Sequence, residues 1–233
     1  DEYCAPRYRS IAKPTVLHMD RTPAEGKVAI TPRDLLVAIE AMQTTSNDII
    51  FVYACCHGGY SGDDHYLFLA TNERDEVTGL KRADVVAALK KKPSHAVVFL
   101  TDSCSTTFPR PPAMIFSPFR TPEEQKGHFY RILASLPKGT FLDINTSRKG
   151  QFAAIKYQGA IGTEQFVNAM ADTWKNKTPT WDALQNAWQK NLTRGFQVLR
   201  DKVAKDPSYP DDLKKKFADQ LDQELDVKPI PKG

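Results

Sequence analysis

The sequence has few cysteines, no long apolar run and little net charge, and each shortage argues against a class of protein. Four cysteines in 233 residues, two of them adjacent, make a poor disulfide framework. We therefore expect reduced thiols, which favours a cytoplasmic setting. No apolar run approaches the roughly 18 residues of a membrane span, so we predict no membrane contact. The net charge of +4 is spread along the chain and gives no indication of nucleic-acid binding.

The sequence also lacks the ligand spacings of common metal sites. Six residues of zinc-ligand type fall within one short segment, namely Cys55, Cys56, His57, Asp63, Asp64 and His65. Neither Cys-x-x-Cys nor His-x-x-x-His occurs among them. Structural zinc is the main chemical alternative for this segment, but we predict no bound metal and no other cofactor.

Two apolar, β-prone runs end abruptly at reactive side chains. The run 51–55 leads to His57 and Gly58, and the run 97–100 leads through Asp102 to Cys104. Ligands of an open α/β sheet bind where the carboxyl ends of parallel strands meet, so His57 and Cys104 are expected to face one crevice. This pattern is typical of a cysteine nucleophile with its base.

The chemistry of acyl transfer requires these residue types. A thiol with a pKa of about 8.5 is only slightly ionised at neutral pH, and a neighbouring imidazole can accept its proton. A glycine beside the histidine allows close approach of a carbonyl group and leaves amide N–H groups for a developing oxyanion. The N–H groups of Gly58 and Cys104 are our candidates for that oxyanion hole.

Together these features resemble the caspase and metacaspase group of cysteine peptidases. The handful of matching segments comprises His57-Gly58, residues 62–69, Asp102-Ser103-Cys104, residues 139–145 and residues 162–167. His57 precedes Cys104 by 47 positions, close to the interval of about 50 in caspases. The resemblance covers roughly residues 14 to 200.

The segments around the two reactive residues differ from the common family pattern. Metacaspases usually carry Ser-Gly-His-Gly and Asp-x-Cys-His-Ser-Gly, whereas this chain has Cys55-Cys56-His57-Gly58 and Asp102-Ser103-Cys104-Ser105-Thr106. The caspase form Gln-Ala-Cys-Arg-Gly is also absent. We therefore place the chain nearer to bacterial metacaspase-like proteins. Many metacaspases need calcium, but residues 105–112 contain no acid of the kind that follows the family's cysteine.

The resemblance implies a cysteine endopeptidase that uses a His57–Cys104 dyad on protein or peptide substrates with basic residues. The family's acid two positions before the cysteine binds Arg or Lys ahead of the cleaved bond, and Asp102 occupies that position here. Residues i and i+2 share one side of a strand, so Asp102 can reach the same crevice. The alternative is a caspase-like scaffold that binds a partner protein and no longer cuts, since fold alone does not imply function.

The order of elements predicts one α/β domain over residues 1–233, a three-layer α/β/α fold with a mostly parallel central sheet. Residues 1–14 are too short to supply the strand and helix that normally precede the predicted strand at 15–19. Residues 105–127 read as a proline-rich loop, which the enzyme could cut itself after a basic residue. Further strands are predicted at 141–145 and 152–157, helices at 32–42, 84–91, 166–174 and 181–199, and a C-terminal extension with a weak helix at 201–233. By analogy we expect a monomer.

The other histidines and cysteines receive no catalytic role at this point. His65 is predicted to be a turn or strand residue rather than a second base, and His18, His95 and His128 have no supporting partners in the sequence. Cys55 and Cys56 are expected to pack behind the catalytic histidine, where one of them could tune redox sensitivity.

Overall fold

The computed structural model describes residues 31–71, 77–104, 123–151, 153, 155–156, 159–174, 180–212, 214–215 and 224–229. The strand predicted at 15–19, most of the proline-rich loop and most of the weak C-terminal helix lie outside these residues. No helix in the described segments is both long enough and apolar enough to cross a membrane.

Five helices and nine strands are described, and they are numbered in chain order. The helices are α1 (Pro32–Ala41), α2 (Arg82–Lys90), α3 (Glu123–Ala134), α4 (Ile161–Thr173) and α5 (Trp181–Lys205). The strands are β1 (Ile49–Cys55), β2 (His57–Ser61), β3 (Asp64–Thr71), β4 (Val77–Lys81), β5 (Ala96–Asp102), β6 (Thr140–Asn145), β7 (Ile155–Lys156), β8 (Gly159–Ala160) and β9 (Asp226–Pro229).

The central sheet has the strand order β1-β5-β6-β9. Strands β1, β5 and β6 run parallel, and β9 pairs antiparallel with β6. A second, antiparallel sheet of order β2-β3-β4 follows β1 directly, and β7 and β8 form a short hairpin. The predicted α/β class with a mostly parallel central sheet is therefore confirmed.

Alternation along β5 separates two apolar cores on opposite faces of the central sheet. Every residue of β5 is buried. Val97 and Phe99 join the core formed with α1 and α2, while Val98 and Leu100 join the core formed with α3, α4 and α5. A strand buried on both faces needs a continuous apolar run, which is what the sequence supplies here. The molecule thus has helices on both faces of the sheet.

Local signals in the sequence explain where two of the helices begin. Thr31 precedes Pro32, the first residue of α1, and exchanges hydrogen bonds with Asp34 in a capping box. Thr180 accepts a hydrogen bond from the Ala183 N–H at the start of α5. At the N-termini of both helices, these side chains satisfy backbone N–H donors that would otherwise lack a partner within the helix.

Several predicted boundaries were wrong. Helix α3 begins at Glu123, inside the segment predicted as loop, because its glutamates and glutamine form helix despite the prolines before them. The strand predicted at 152–157 is reduced to β7 in the described residues. The supposed C-terminal extension is part of the fold: α5 continues to Lys205, and β9 completes the central sheet.

Candidate active site

The two predicted reactive segments meet at the carboxyl edge of the central sheet. Cys55, the last residue of β1, lies opposite Asp102, the last residue of β5. The Cys56 N–H donates a hydrogen bond to the Asp102 carbonyl oxygen at 3.2 Å. His57 follows immediately as the first residue of β2 and is partly exposed, as is Cys104. Parallel pairing of β1 with β5 therefore brings the two segments together.

Gly58 packs directly against the backbone of the Cys104 segment. A Cβ atom at this position would overlap the Cys104 carbonyl oxygen and would lie 2.9 Å from Ser103 Cβ and 3.0 Å from His65 Nε2. From the sequence, we expected this glycine to allow the approach of a substrate carbonyl. The group that approaches Gly58 is the carbonyl of Cys104 itself, so the absent side chain is what allows β2 to contact the Cys104 segment.

The Cys104 side chain is held as a neutral thiol. Its Sγ donates a hydrogen bond to the Ala153 carbonyl oxygen at 3.7 Å. Burial raises the pKa of this thiol, and the charge of the Asp102 carboxylate raises it further. Cys55, at the end of β1, has its pKa raised to about 12 for the same two reasons. At neutral pH both sulfur atoms therefore carry protons in the resting protein.

His65 contacts the backbone of Cys104, which its sequence context did not indicate. This histidine lies on β3 opposite Tyr60, and its ring stacks on the Tyr60 ring with centroids 4.7 Å apart. Its Nε2 lies 3.0 Å from the Cys104 carbonyl oxygen. A carbonyl oxygen only accepts, so Nε2 carries the proton and donates. Burial lowers the pKa of His65 to about 4, which keeps the ring neutral at physiological pH.

Asp102 lies in a buried polar cluster at the N-terminus of α4. Its carboxylate accepts hydrogen bonds from Thr146 Oγ1 at 2.6 Å, from the Thr163 N–H at 2.7 Å and from Thr163 Oγ1 at 2.8 Å. Tyr53 extends the cluster through a hydrogen bond of 2.6 Å between its hydroxyl and Thr163 Oγ1. We call these four residues the Asp102 cluster. Burial raises the pKa of the Asp102 carboxyl, and the hydrogen bonds only partly offset that effect.

A second polar cluster lies on the face of the central sheet opposite to the Asp102 cluster. Arg82, the first residue of α2, forms a buried ion pair with Asp143 and donates hydrogen bonds to Thr101 Oγ1 and to the Ile144 carbonyl oxygen. Its guanidinium carbon lies 4.5 Å from the centroid of the Phe99 ring. Further hydrogen bonds continue the cluster to Ser103, next to Cys104, and we call the whole set the Arg82 cluster: Arg82, Thr101, Ser103, Asp143, Asn145 and Ser147.

The candidate zinc ligands in residues 55–65 do not converge on one point. Cys56 is fully buried in the apolar core. Asp63 and Asp64 lie at the turn between β2 and β3, where they pair with Lys149 and Lys81, each at 2.8 Å. Within the described residues, no three His, Cys, Asp or Glu side chains are arranged to hold a metal ion.

The sequence did not indicate His65 or most members of the two polar clusters as parts of this site. Among them are His65, Arg82, Asp143, Asn145, Thr146, Ser147 and Thr163. One signal was available, because four of the five residues from Asp143 to Ser147 are polar, although they stand at and just after the end of the buried strand β6. A buried polar run of this kind indicates a hydrogen-bonded network.

Comparison with known proteins gives little further information on the site. No protein-family model matches the chain, and no curated protein matches it. Among solved structures, the chain is similar to the crystal structure of protein GSU0716 from Geobacter sulfurreducens, with a TM-score of 0.47 and 17% sequence identity. The similarity covers 86% of this chain and 74% of that one.

Proposed function

We propose that this protein is a cysteine endopeptidase in which Cys104 is the nucleophile and His57 its base. The observation that supports this most directly is the contact between Gly58, next to His57, and the Cys104 backbone at the carboxyl edge of the central sheet. That edge is where an open α/β sheet binds its ligands. The resemblance of the same residues to the metacaspase pattern supports the reaction class.

Because the resting nucleophile is a thiol, the proton has to move as the attack occurs. His57 accepts the Cys104 proton while Sγ bonds to the scissile carbonyl carbon, and the carbonyl oxygen becomes the oxyanion. The N–H groups of Gly58 and Cys104 stabilise that oxyanion. When the intermediate collapses, the C–N bond breaks and the leaving amine takes the proton from His57. Water then hydrolyses the thioester and restores the thiol.

Selection of Arg or Lys before the cleaved bond depends on Asp102. An ionised carboxylate accepts about four hydrogen bonds, and Thr146 and Thr163 donate three to Asp102. Within the part of the chain that the structure describes, this leaves one acceptor position of Oδ1 for a cationic side chain. A positive charge beside this buried carboxylate is favoured, whereas an acidic side chain is repelled.

Self-processing would use the same preference. Arg110 and Arg120 lie in the segment that directly follows Cys104 in the sequence, although this segment lies outside the described residues. Mass spectrometry of the purified protein should find cuts after one of these arginines. The Cys104→Ala variant should remain whole; the same cuts in that variant would have to be the work of another peptidase.

An inactive scaffold is the second candidate, and one observation favours it. Burial and the Asp102 charge both raise the pKa of the Cys104 thiol, which is the opposite of the activation seen in many catalytic cysteines. A protein that only binds a partner has no need of a reactive sulfur. The two candidates therefore differ in whether Cys104 reacts with a substrate-like electrophile.

Active-site labelling separates them. We expect a peptide chloromethyl ketone ending in Arg to alkylate Cys104 in the wild-type protein. Prior treatment with a peptide aldehyde ending in Arg should prevent this alkylation. The matched control is Cys55→Ala, which removes a neighbouring thiol of raised pKa and should be labelled like the wild type. Absence of labelling at Cys104, or equal labelling by a reagent ending in Asp, would contradict the proposed activity or its specificity.

A further inference from the structure

Side chains donate hydrogen bonds to two successive backbone carbonyl groups, those of Ser103 and Cys104. The Ser103 carbonyl oxygen accepts hydrogen bonds from Ser147 Oγ at 2.7 Å and from Asn145 Nδ2 at 3.1 Å. The next carbonyl, that of Cys104, accepts from His65 Nε2 at 3.0 Å. The peptide unit between Ser103 and Cys104 is thus fixed by two donors from the end of β6.

The two donors on the Ser103 carbonyl are themselves held in place. Asn145 Oδ1 accepts from Thr101 Oγ1 at 2.6 Å and from Ser103 Oγ at 2.9 Å, which leaves Nδ2 to face carbonyl oxygens. Nδ2 also donates to the Ser147 carbonyl oxygen at 2.8 Å. Asn145 is 3% exposed and Ser147 is 0% exposed, so water does not compete for these hydrogen bonds.

Fixing the Ser103 carbonyl also fixes the Cys104 N–H. The peptide group is planar and trans, so its N–H points away from its C=O in the same plane. Ser147 and Asn145 lie on the carbonyl side and therefore set the direction of the N–H on the other side. The Cys104 N–H belongs to the same residue as Sγ, so its direction is set close to the sulfur atom that is proposed to attack.

We propose that Asn145 and Ser147 are positioning residues that aim the Cys104 N–H at the oxyanion formed during peptide cleavage. The inference rests on the proposed peptidase function and deepens it, because it assigns to the end of β6 the orientation of one oxyanion donor. Neither residue touches the substrate. Their effect comes through the Ser103–Cys104 peptide group, in which a small rotation misdirects the N–H.

The kinetic test uses Ser147→Ala, which removes one of the two donors and leaves Asn145. Loss of a complete oxyanion donor costs about 10²–10³ in kcat, so we expect about a tenfold loss from loosening one. KM for an Arg-ending peptide should stay unchanged, and affinity for the Arg-ending aldehyde, whose adduct carries an oxyanion, should fall by a similar factor. Alkylation of Cys104 by iodoacetamide forms no oxyanion and should keep its rate.

Three further variants control this experiment. Ser147→Thr keeps the hydroxyl and should restore kcat. Ser135→Ala removes a hydroxyl that donates at 2.6 Å to the Ile132 carbonyl oxygen at the end of α3, and it should leave kcat, KM, aldehyde affinity and alkylation rate unchanged. If Ser147→Ala does not fold, Ser147→Cys takes its place, since its thiol donates only weakly.

A spectroscopic readout tests, without any catalysis, whether Ser147 fixes the Ser103–Cys104 peptide group. Protein labelled with ¹⁵N-cysteine gives a Cys104 amide signal that is identified by its loss in Cys104→Ser. We expect Ser147→Ala to shift this signal and Ser135→Ala to leave it in place. An unmoved signal, or a Ser147→Ala enzyme with wild-type kcat and aldehyde affinity, overturns the positioning role of Asn145 and Ser147 but leaves the proposed peptidase function intact. A wild-type protein that neither cleaves nor is labelled overturns the peptidase, and the proposed role of Asn145 and Ser147 with it.

Discussion

The two polar clusters beside Cys104 bury one carboxylate each, but they compensate its charge in different ways. Asp143, in the Arg82 cluster, is paired with a guanidinium. Among the described residues, Asp102 in the Asp102 cluster receives its hydrogen bonds from neutral threonine groups. Full pairing produces a rigid support, whereas incomplete compensation leaves a carboxylate that still attracts a cation. We therefore expect one face of the sheet to support the Cys104 segment and the other face to carry the proposed specificity.

Breaking the buried ion pair should have the largest effect. Asp143→Ala leaves the Arg82 charge buried without its partner, and we expect it to lower the free energy of unfolding by about 3–5 kcal/mol. Urea denaturation followed by circular dichroism measures this change. The double variant Arg82→Met/Asp143→Leu removes both charges and should recover much of the loss. A single variant as stable as the wild type would contradict the supporting role of the pair.

His65 extends the comparison, because it is a buried ionisable ring whose burial outweighs the favourable charge of Asp226. Its pKa is about 4 in the folded protein against 6.5 in the unfolded chain, so the unfolded chain binds the proton first as the pH falls. Stability should therefore decline between pH 6.5 and pH 4, by up to about 3 kcal/mol from this group. His65→Gln, which keeps a donor for the Cys104 carbonyl, should flatten this part of the stability curve; an unchanged curve would contradict the assignment.

Neutralising the uncompensated carboxylate should affect specificity more than stability. Asp102→Asn keeps the shape of the side chain, and we expect it to cost about 1–2 kcal/mol because one threonine hydrogen bond is weakened. The preference for Arg-ending over Gln-ending labelling reagents should fall by roughly tenfold, as a charge-assisted hydrogen bond is lost. Rates of labelling with the two reagents measure this directly. A preference equal to that of the wild type would remove Asp102 from the specificity site.

The smallest expected effect comes from a single neutral donor. Thr146→Val removes one hydrogen bond to the Asp102 carboxylate and leaves both from Thr163. We expect it to lower the free energy of unfolding by about 1 kcal/mol, measured by urea denaturation, while Thr146→Ser keeps the hydroxyl and most of the stability. If Thr146→Val were as costly as Asp143→Ala, the two clusters would not differ in the way described.

Strands with strong apolar runs and helices with clear caps could be predicted from the sequence. The buried strand before Cys104 and the helix that starts at Thr31-Pro32 were confirmed because each depends on local pattern. Strand β9 was missed, since four residues in a charged tail acquire their structure only by pairing with β6. Hydrogen-bond partners far apart in sequence, such as Arg82 with Asp143 or His65 with Cys104, depend on tertiary contacts that no local pattern encodes.

Turnover of an Arg-ending fluorogenic peptide by the wild type, Cys104→Ala and His57→Ala tests the central claim most directly. We predict measurable turnover by the wild type and a loss on the order of 10³-fold or more in each variant, because the nucleophile and its base act as a unit. Wild-type turnover that persists in Cys104→Ala, or a correctly folded wild type that cleaves no basic peptide, would contradict the assignment of His57 and Cys104 as a peptidase dyad.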